Sequence, residues 1–448
     1  MKQYGLLKKI SPYMPKNSVT LFYWETFMFS LMPILQAVFG ILIFLIFSWV
    51  ISENRKSVNL RFVLTGVIIQ FVFAFLIMKV NIINQAFLLA SKGISALKTA
   101  TCEATRFVFG YLGGGEMPFT LCDGASTFIF AFQALPMLIV ISAISMLLFH
   151  WRILPFLVRG FSWALQRMLN VGGALGVCSA AKIFLGQTEA PLLIRPYFSN
   201  LSRSELFSVM TAGMATTSAS IMVVYSTILE NTIDNPISHI LTASIISIPA
   251  ALTISRLMVP QEAVSSSGDL VNPYNFSGSM DAISQGASDG MKLYLNIIAM
   301  LIAALALVAL VNTMLGTLPH IGGAPLTLQR IFGFIMSPVT WLMGVPWSEA
   351  NIAGNLLGTK TVLNEVIAFI ELAALPKQVL SKHTDLIMVY ALCGFANLSS
   401  IGIQIGGLGT MAPERRNEII ALGFKAVIAG TLSSCMSGTI VGILYWIG

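Results

Sequence analysis

The chain has 448 residues, of which 56% are hydrophobic and only 10% charged, with a mean hydropathy of +0.81. A soluble domain carries about 25% charged residues, so the composition excludes a soluble globular protein and leaves one that crosses a membrane several times. The net charge of +7 does not point to nucleic acid, because Lys and Arg are dispersed between apolar runs and form no basic patch interleaved with aromatics.

Apolar runs such as 126–149 and 293–315 contain no charge. Barrel strands would instead alternate with period two, so a β-barrel is excluded. Runs of at least about 18 apolar residues are transmembrane helices. The expected fold class is an all-α polytopic membrane protein with about eight transmembrane helices. The five cysteines (Cys102, Cys122, Cys178, Cys393, Cys435) are scattered and no Cys/His pair has metal spacing. Neither a metal site nor a cofactor is expected. The N-terminus lacks a small-residue cleavage site after a short apolar core and reads as retained.

In chain order, residues 1–18 are polar and basic, with Lys2, Lys8, Lys9 and Lys16. The run 19–52, about 51 Å long as a helix, exceeds one span of about 30 Å. Glu25 and Pro33 predict its division into an interfacial helix near 19–32 and a first span near 34–52. The second span is predicted at 62–79 and the third at 126–149, with a mixed polar stretch between them broken at Gly113-Gly114-Gly115. Residues 152–170, with Arg152, Arg159, Trp163 and Arg167, suit an amphipathic helix lying in the interface. Further spans are predicted at 205–229, 237–259, 293–315, 383–404 and 417–447, with a polar loop at 260–290 and a second interfacial helix at 325–343.

Charge asymmetry sets an orientation. Arg55, Lys56 and Arg61, the stretch with Arg152 and Arg159, the end at Arg256, and Arg415 with Arg416 should be cytoplasmic. The turn at 230–236, with Glu230 and Asp234 but no Lys or Arg, should be outside. Strict alternation then requires 171–200 and 345–375 to be re-entrant hairpins entering from opposite sides, although the basic N-terminus would fall outside. Such backbone is tolerated only where it is covered by protein or lines a cavity. The succession of interfacial helix, hairpin, broken helix and full span occurs over 152–259 and again over 325–447, an inverted repeat of the kind found in secondary transporters.

Each hairpin carries a carboxylate inside apolar sequence, in Gly186-Gln187-Thr188-Glu189-Ala190-Pro191 and in Lys360-Thr361-Val362-Leu363-Asn364-Glu365. Each is followed by a Gly/Ser/Thr/Asn-rich break, at Gly213–Ser218 and at Gly394–Ser400. A charge at bilayer depth is costly unless it faces a cavity or a partner. An amide, a hydroxyl and a carboxylate side by side suit a ligand rich in hydrogen-bonding groups, such as a sugar or a base. Phe395 could stack on a planar ring, and Asn397 and Ser400 share a helical face at i and i+3. Alternatively, these groups satisfy one another at a helix break.

The motifs resemble the concentrative nucleoside transporters: Gly-Gln-Thr-Glu-Ala-Pro-Leu from Gly186, Arg195-Pro196, Ser204-Glu205-Leu206-Phe207, Gly344-Val345-Pro346-Trp347, Gly358 through Glu365, and Ala391 through Ile401. Ser288-Asp289-Gly290 and Lys425 through Leu432 extend the resemblance from about residue 55 to the C-terminus. It implies a homotrimer of eight-span protomers in the bacterial inner membrane, importing nucleosides such as uridine, cytidine or adenosine by an elevator-like symport. It implies that Gln187, Thr188 and Glu189 read the base, that Glu365, Asn397 and Ser400 hold the ribose, that Phe395 and Ile221 shape the pocket, and that Asn364 supports it. The division it implies is an N-terminal extension over 1–32, scaffold helices over 33–151, a first transport repeat over 152–259, a loop and trimerisation helix over 260–324, and a second repeat over 325–448.

One position departs from the pattern. In sodium-coupled members the residue matching Lys182 is typically an Asn that helps to bind sodium, with the positions matching Leu185, Thr216 and Thr217 completing the site. Lys182 brings an ammonium to that place, able to replace sodium or to repel it. Lys182 and Glu189 are about two helical turns apart, on roughly one face if the segment is helical. The coupling ion is therefore expected to be H+, or transport to be independent of sodium, with Na+ coupling as the alternative in which Lys182 snorkels to the surface.

Other readings are weaker. Gly286-Ala287-Ser288-Asp289-Gly290 matches G-x-S-x-G but lacks the strand–turn–helix that a nucleophile elbow needs. His150, His239, His320 and His383 are isolated and read as interfacial or loop residues. Gly402-x-x-x-Gly406 predicts close helix contact. No nucleophile–base or metal constellation supports an enzyme, and no continuous polar stripe supports a channel.

Overall fold

The computed structural model describes residues 16–120, 127–261, 268, 270, 271, 274, 276–320, 323 and 325–447. The basic Lys2, Lys8 and Lys9, part of the 260–290 loop, and Cys122 lie outside the described residues. The described chain is helical throughout its ordered elements, and Pro33 does not divide the first of them. Helix α1 (Lys16–Val50) is continuous through that proline. A proline removes one backbone bond from a helix, which neighbouring packing can offset. One turn later, Gln36 Nε2 donates to Val345 O at 3.0 Å and also to Trp341 O, fastening the helix there.

Helix α2 (Leu60–Lys79) is capped by Asn59, whose side chain accepts from the N–H groups of Arg61 and Phe62. The stretch predicted to be a mixed polar connection instead begins with a long helix, α3 (Asn81–Phe109). It ends at Gly110 (φ 60°), which opens a 3₁₀ turn closed by Gly114 (φ 89°) of the expected glycine break, and both adopt backbone angles that cost little only without a Cβ. The third span comprises α4 (Phe130–Gln133) and α5 (Met137–His150). Helix α6 (Ile153–Leu169) follows, burying Leu154, Val158 and Leu165 and exposing Phe156 and Trp163.

Two successions then follow in the same order. The first is α7 (Gly173–Ala181), a turn, α8 (Glu189–Leu192), then α9 (Arg203–Ala215), a break at 216–218, α10 (Ala219–Ile228) and the long α11 (Pro236–Met258). After α12 (Ser279–Leu315) and α13 (Leu328–Leu342) come α14 (Trp347–Val362) and α15 (Glu365–Ala374). The second broken helix is α16 (Lys382–Leu392) and α17 (Leu398–Met411), and α18 (Arg416–Ile447) closes the chain. Among the described residues seven helical stretches are long and apolar enough to cross a membrane. The remaining expected span, 383–404, consists of α16 and α17, each too short by itself because five residues between them are not helical. The protein is an all-α, multi-pass membrane protein.

The charged chain ends gather as the Lys/Arg pattern requires. Glu53 N–H donates to Met258 O at 2.9 Å, and its carboxylate pairs with Arg203 at 2.9 Å and Lys425 at 2.6 Å. Arg203 and Arg415 both pair with Glu418, at 3.4 and 2.7 Å. The loop after α1, the start of α9, the end of α11 and the start of α18 therefore lie at one end of the molecule. At the turn between α10 and α11, Glu230 pairs instead with Lys98 of α3.

The expected helix contact at Gly402 and Gly406 is not made within this chain: a Cβ at either position would meet nothing within 4 Å. Four-residue glycine spacing is used instead at Gly286 and Gly290, the G-x-S-x-G decoy, which lie inside α12. A Cβ at Gly286 would sit 2.6 Å from Ser142 O, and one at Gly290 2.7 Å from Ile139 Cα. Only glycine lets α12 approach the backbone of α5 so closely. Gly290→Val should cost about 1–3 kcal/mol by forcing these helices apart, whereas Gly402→Val should change little. Thermal unfolding of the two variants in detergent measures the difference, and equal losses would refute the assignment.

Candidate functional site

The second turn is built around Glu365, which is 4% exposed. Asn364 ends the irregular link from α14 and caps α15, its Oδ1 accepting the Ile367 N–H at 3.0 Å. Glu365 Oε1 accepts from Tyr225 Oη at 2.6 Å, and Oε2 accepts from Asn397 Nδ2 at 2.9 Å. Asn397 in turn caps α17: its Oδ1 accepts the Ser400 N–H at 2.8 Å and the Ser399 hydroxyl at 2.7 Å. With the carbonyl so engaged, the amide nitrogen is left facing the carboxylate. The Tyr225 ring packs on Phe369, one turn after Glu365, with centroids 4.8 Å apart. A single carboxylate thus ties α10, α15 and α17 together.

Lys360 lies on α14 and is fully buried. Its ammonium donates to Ala391 O at 2.7 Å, near the end of α16, and to Ser434 Oγ of α18 at 3.0 Å.

The first turn is less completely bonded. The Gly186 N–H donates to Glu189 Oε2 at 3.1 Å, so this carboxylate closes its own turn. Gln187 is buried, while Thr188 and Glu189 are half-buried. Thr188 packs against Gly407 of α17, where an added Cβ would sit 2.3 Å from its methyl carbon. Gln187 lies beside Gly213 of α9, and Gln404 Nε2 donates to Met210 O at 2.9 Å. Asn397, Ser400 and Gln404 form one buried face of α17. From Asn397 to Gln404 that face rises about 10 Å, so the two polar foci are joined by a ruler comparable in length to a ring linked to a sugar.

Four buried polar atoms in or near the first turn have no hydrogen-bond partner: Ser179 Oγ, Lys182 Nζ, Gln187 Oε1 and Gln404 Oε1. Each such group costs about 1–3 kcal/mol unless something completes it. Lys182 is 1% exposed, so it does not snorkel. Helix α7 ends at Ala181, so Lys182 and Glu189 do not share a helical face, and no ion pair joins them. The helix stops because the chain must turn over Phe184, whose carbonyl accepts the Ala219 N–H at 3.2 Å.

Leu185 is buried in the same turn. Thr216 and Thr217 lie in the facing break, but their hydroxyls are engaged. Thr216 bonds to Ala212 O at 2.7 Å, and Thr217 bonds to Ser244 Oγ at 2.9 Å. A bonded hydroxyl oxygen still keeps lone pairs that can face a cation. Ile221 is buried on α10, and Phe395 is half-buried in the second break.

Tyr225, Gln404 and Ser434 carry no role in the sequence reading, and Lys360 enters it only as the first residue of its polar segment. Tyr225 is one helical turn beyond Ile221, and Gln404 is two turns beyond Asn397, spacings that could have marked both. His239 sits within α11 against Tyr390 Oη at 3.1 Å, and His383 is buried in α16 between Gly442 O and Trp446. Both fill packing positions. Among the described residues no group of His, Cys, Asp and Glu could hold a metal ion.

Apolar spans, two broken helices and polar groups gathered at their breaks define a membrane carrier. Three family signatures cover most of the chain: "Na+ dependent nucleoside transporter N-terminus" over residues 39–112, "Nucleoside recognition" over 131–232, and "Na+ dependent nucleoside transporter C-terminus" over 239–442. The chain belongs to the concentrative nucleoside transporter family. It is 38% identical to an uncharacterized transporter of Haemophilus influenzae, over 93% of this chain and 99% of that one. It is 35% identical to the nucleoside permease NupC of Helicobacter pylori, over 91% of this chain and 97% of that one. Its fold matches CNTnw in an inward-facing substrate-bound state with a TM-score of 0.84 at 34% identity, covering 93% of this chain and 99% of that one. The protein is a nucleoside transporter, not an enzyme.

Tyr225→Phe should leave the protein folded and weaken nucleoside binding about tenfold, because Glu365 loses a charge-assisted bond that orients it. Equilibrium binding to purified protein checks this, and an unchanged affinity would remove Tyr225 from the site.

Proposed function

We propose that this chain imports nucleosides such as uridine, cytidine or adenosine across the bacterial inner membrane as a homotrimer, by a symport coupled to protons or by transport independent of sodium. The observation that carries the substrate reading is the face of α17, with the bonded Glu365–Asn397 pair at one end and the incompletely bonded Gln187 and Gln404 at the other. In this reading Gln187, Thr188 and Glu189 take the base, while Glu365, Asn397 and Ser400 take the ribose hydroxyls. Asn364 holds the second turn, and Ile221 and Phe395 line the space between. A site built to bond OH and NH groups rejects a ligand lacking them, because its own buried groups are then left unpaired.

The same reading treats 152–259 and 325–448 as inverted transport repeats whose two turns enter from opposite sides, with 33–151 and 260–324 as scaffold and 1–32 as an extension. The repeats would move together, as an elevator, past that scaffold. The coupling reading rests on Lys182 Nζ, which is buried and unpartnered, beside Leu185 and the engaged hydroxyls of Thr216 and Thr217. A fixed ammonium there repels a second cation.

Uptake of labelled uridine into proteoliposomes, with sodium and proton gradients imposed separately, tests the coupling. Uptake should respond to the proton gradient or to neither, and Lys182→Asn should shift the protein towards sodium dependence. A wild-type rate that rises with sodium at constant pH and potential refutes it. Glu189→Gln and Glu365→Gln should each abolish most uptake without preventing insertion, and near-normal transport by both would remove the substrate assignment.

A further inference from the structure

A cavity of about 410 Å³ opens between the start of α2, the end of α6 and the end of α11. It is lined by Asn59, Arg61, Phe62, Asn170, Arg256 and Gln261, among others, and among its described lining residues none is acidic. The Arg256 guanidinium lies over the Phe62 ring, 4.5 Å from its centroid. Cation–π contact fixes the plane of the group but satisfies none of its N–H bonds. Arg256 Nε and Nη2 are both buried without a hydrogen-bond partner. These two nitrogens form one edge of the guanidinium, the pair of parallel donors that grips two oxygens of a phosphate or carboxylate. Leaving that edge empty in a buried place is costly. Glu205 is the acidic group whose charge reaches Arg256, and its carboxylate accepts the Ser202 N–H at 3.0 Å in a capping box.

We infer that this cavity binds the phosphate of an anionic membrane phospholipid, with Arg256, which lines it and turns its unpartnered edge towards the ligand on binding, and Arg61 as the two positive charges. Its position favours a lipid over a free anion. The cavity lies where the apolar stretches Leu60–Lys79 and Pro236–Met258 end, at the depth of a headgroup. Leu60 and Leu64 are 73% and 63% exposed on α2, and Met168 of α6 is 39% exposed. These apolar side chains border the basic cavity where acyl chains would cover them. Arginine is suited to such a place because its guanidinium is weakly hydrated and always charged. A bound headgroup would bridge α2, α11 and Asn170, which turns the chain from α6 into α7 with φ 46°. It would thereby brace the segment that leads into the first polar turn. The inference does not depend on which ion drives transport or on which residues hold the nucleoside.

The test uses full-length protein purified in detergent and stripped of lipid. Thermal unfolding is followed while phosphatidylglycerol, phosphatidylcholine or inorganic phosphate is added at matched concentrations. Phosphatidylglycerol should raise the midpoint, and the other two should not. Arg256→Gln should require roughly tenfold more phosphatidylglycerol for the same rise, and Arg61→Gln should show a smaller loss, with nucleoside binding retained in both as the check on folding. If Arg256→Gln does not fold, Arg61→Gln, at an exposed position, carries the comparison. An equal response to phosphatidylcholine, the same rise with inorganic phosphate alone, or an unaltered phosphatidylglycerol response in the folded variants would overturn the inference.

Discussion

The ammonium of Lys360 on the carbonyl of Ala391 is the contact on which the second polar focus depends. Breaking a helix inside a membrane strands carbonyls at one end and N–H groups at the other, where no water can reach them. Here the stranded groups are met by side chains. Lys360 serves the end of α16, Asn397 serves the start of α17, and Asn364 serves the start of α15. Lys360 also holds Ser434 of α18, so the end of α16 is pinned against the longest buried helix. The residues that follow then have little freedom, and they deliver Asn397 to Glu365. The backbone problem created by the break and the geometry of the site share one solution.

Small residues do the remaining positioning. A Cβ on Gly394 would meet Ala215 O at 2.9 Å, and one on Gly430 would meet Met214 Cβ at 2.4 Å. The ends of α9 and α16 can therefore touch at their breaks, with α18 passing close behind. This crossing brings two parts of the chain far apart in sequence to either end of the α17 face. The two foci are not equivalent. In the second, Glu365, Asn397 and Lys360 are each bonded, whereas the first retains Gln187 Oε1, Gln404 Oε1 and Lys182 Nζ without partners. A fully bonded group can orient a ligand but gains little from it, while unpartnered buried groups gain a great deal.

Much of this was legible in the sequence because a charge within an apolar run is too costly to be incidental. That argument pointed to Glu189 and Glu365, Gly/Ser/Thr/Asn-rich composition pointed to both breaks, and the Lys/Arg pattern grouped the loop after α1, the end at Arg256 and the loop with Arg415, which gather around Glu53 and Glu418. It failed where the decisive partner is distant. The polar composition of 81–109 hid a helix, because one face of α3 answers to neighbours that the local pattern does not name. Gly402 and Gly406 had the right spacing for contact and no helix opposite, while the glycines of a supposed nucleophile motif did have one. Tyr225 carried only its one-turn spacing from Ile221, since a tyrosine in an apolar helix is ordinary until a carboxylate from α15 is placed against it.

Lys182 joins these threads. Its backbone N–H closes the end of α7, while its Nζ is buried and meets no carbonyl. A mobile sodium ion and a tethered ammonium would each bring one positive charge to this place. They differ in what can leave. Sodium released on one side and taken up on the other makes the site a coupling device, whereas the lysine nitrogen stays with the chain through every cycle. The one species an ammonium can surrender is its proton, and lysine does so readily when buried. Under the proposed reading, covalent attachment of the cation at this position would limit coupling through it to a proton or to nothing.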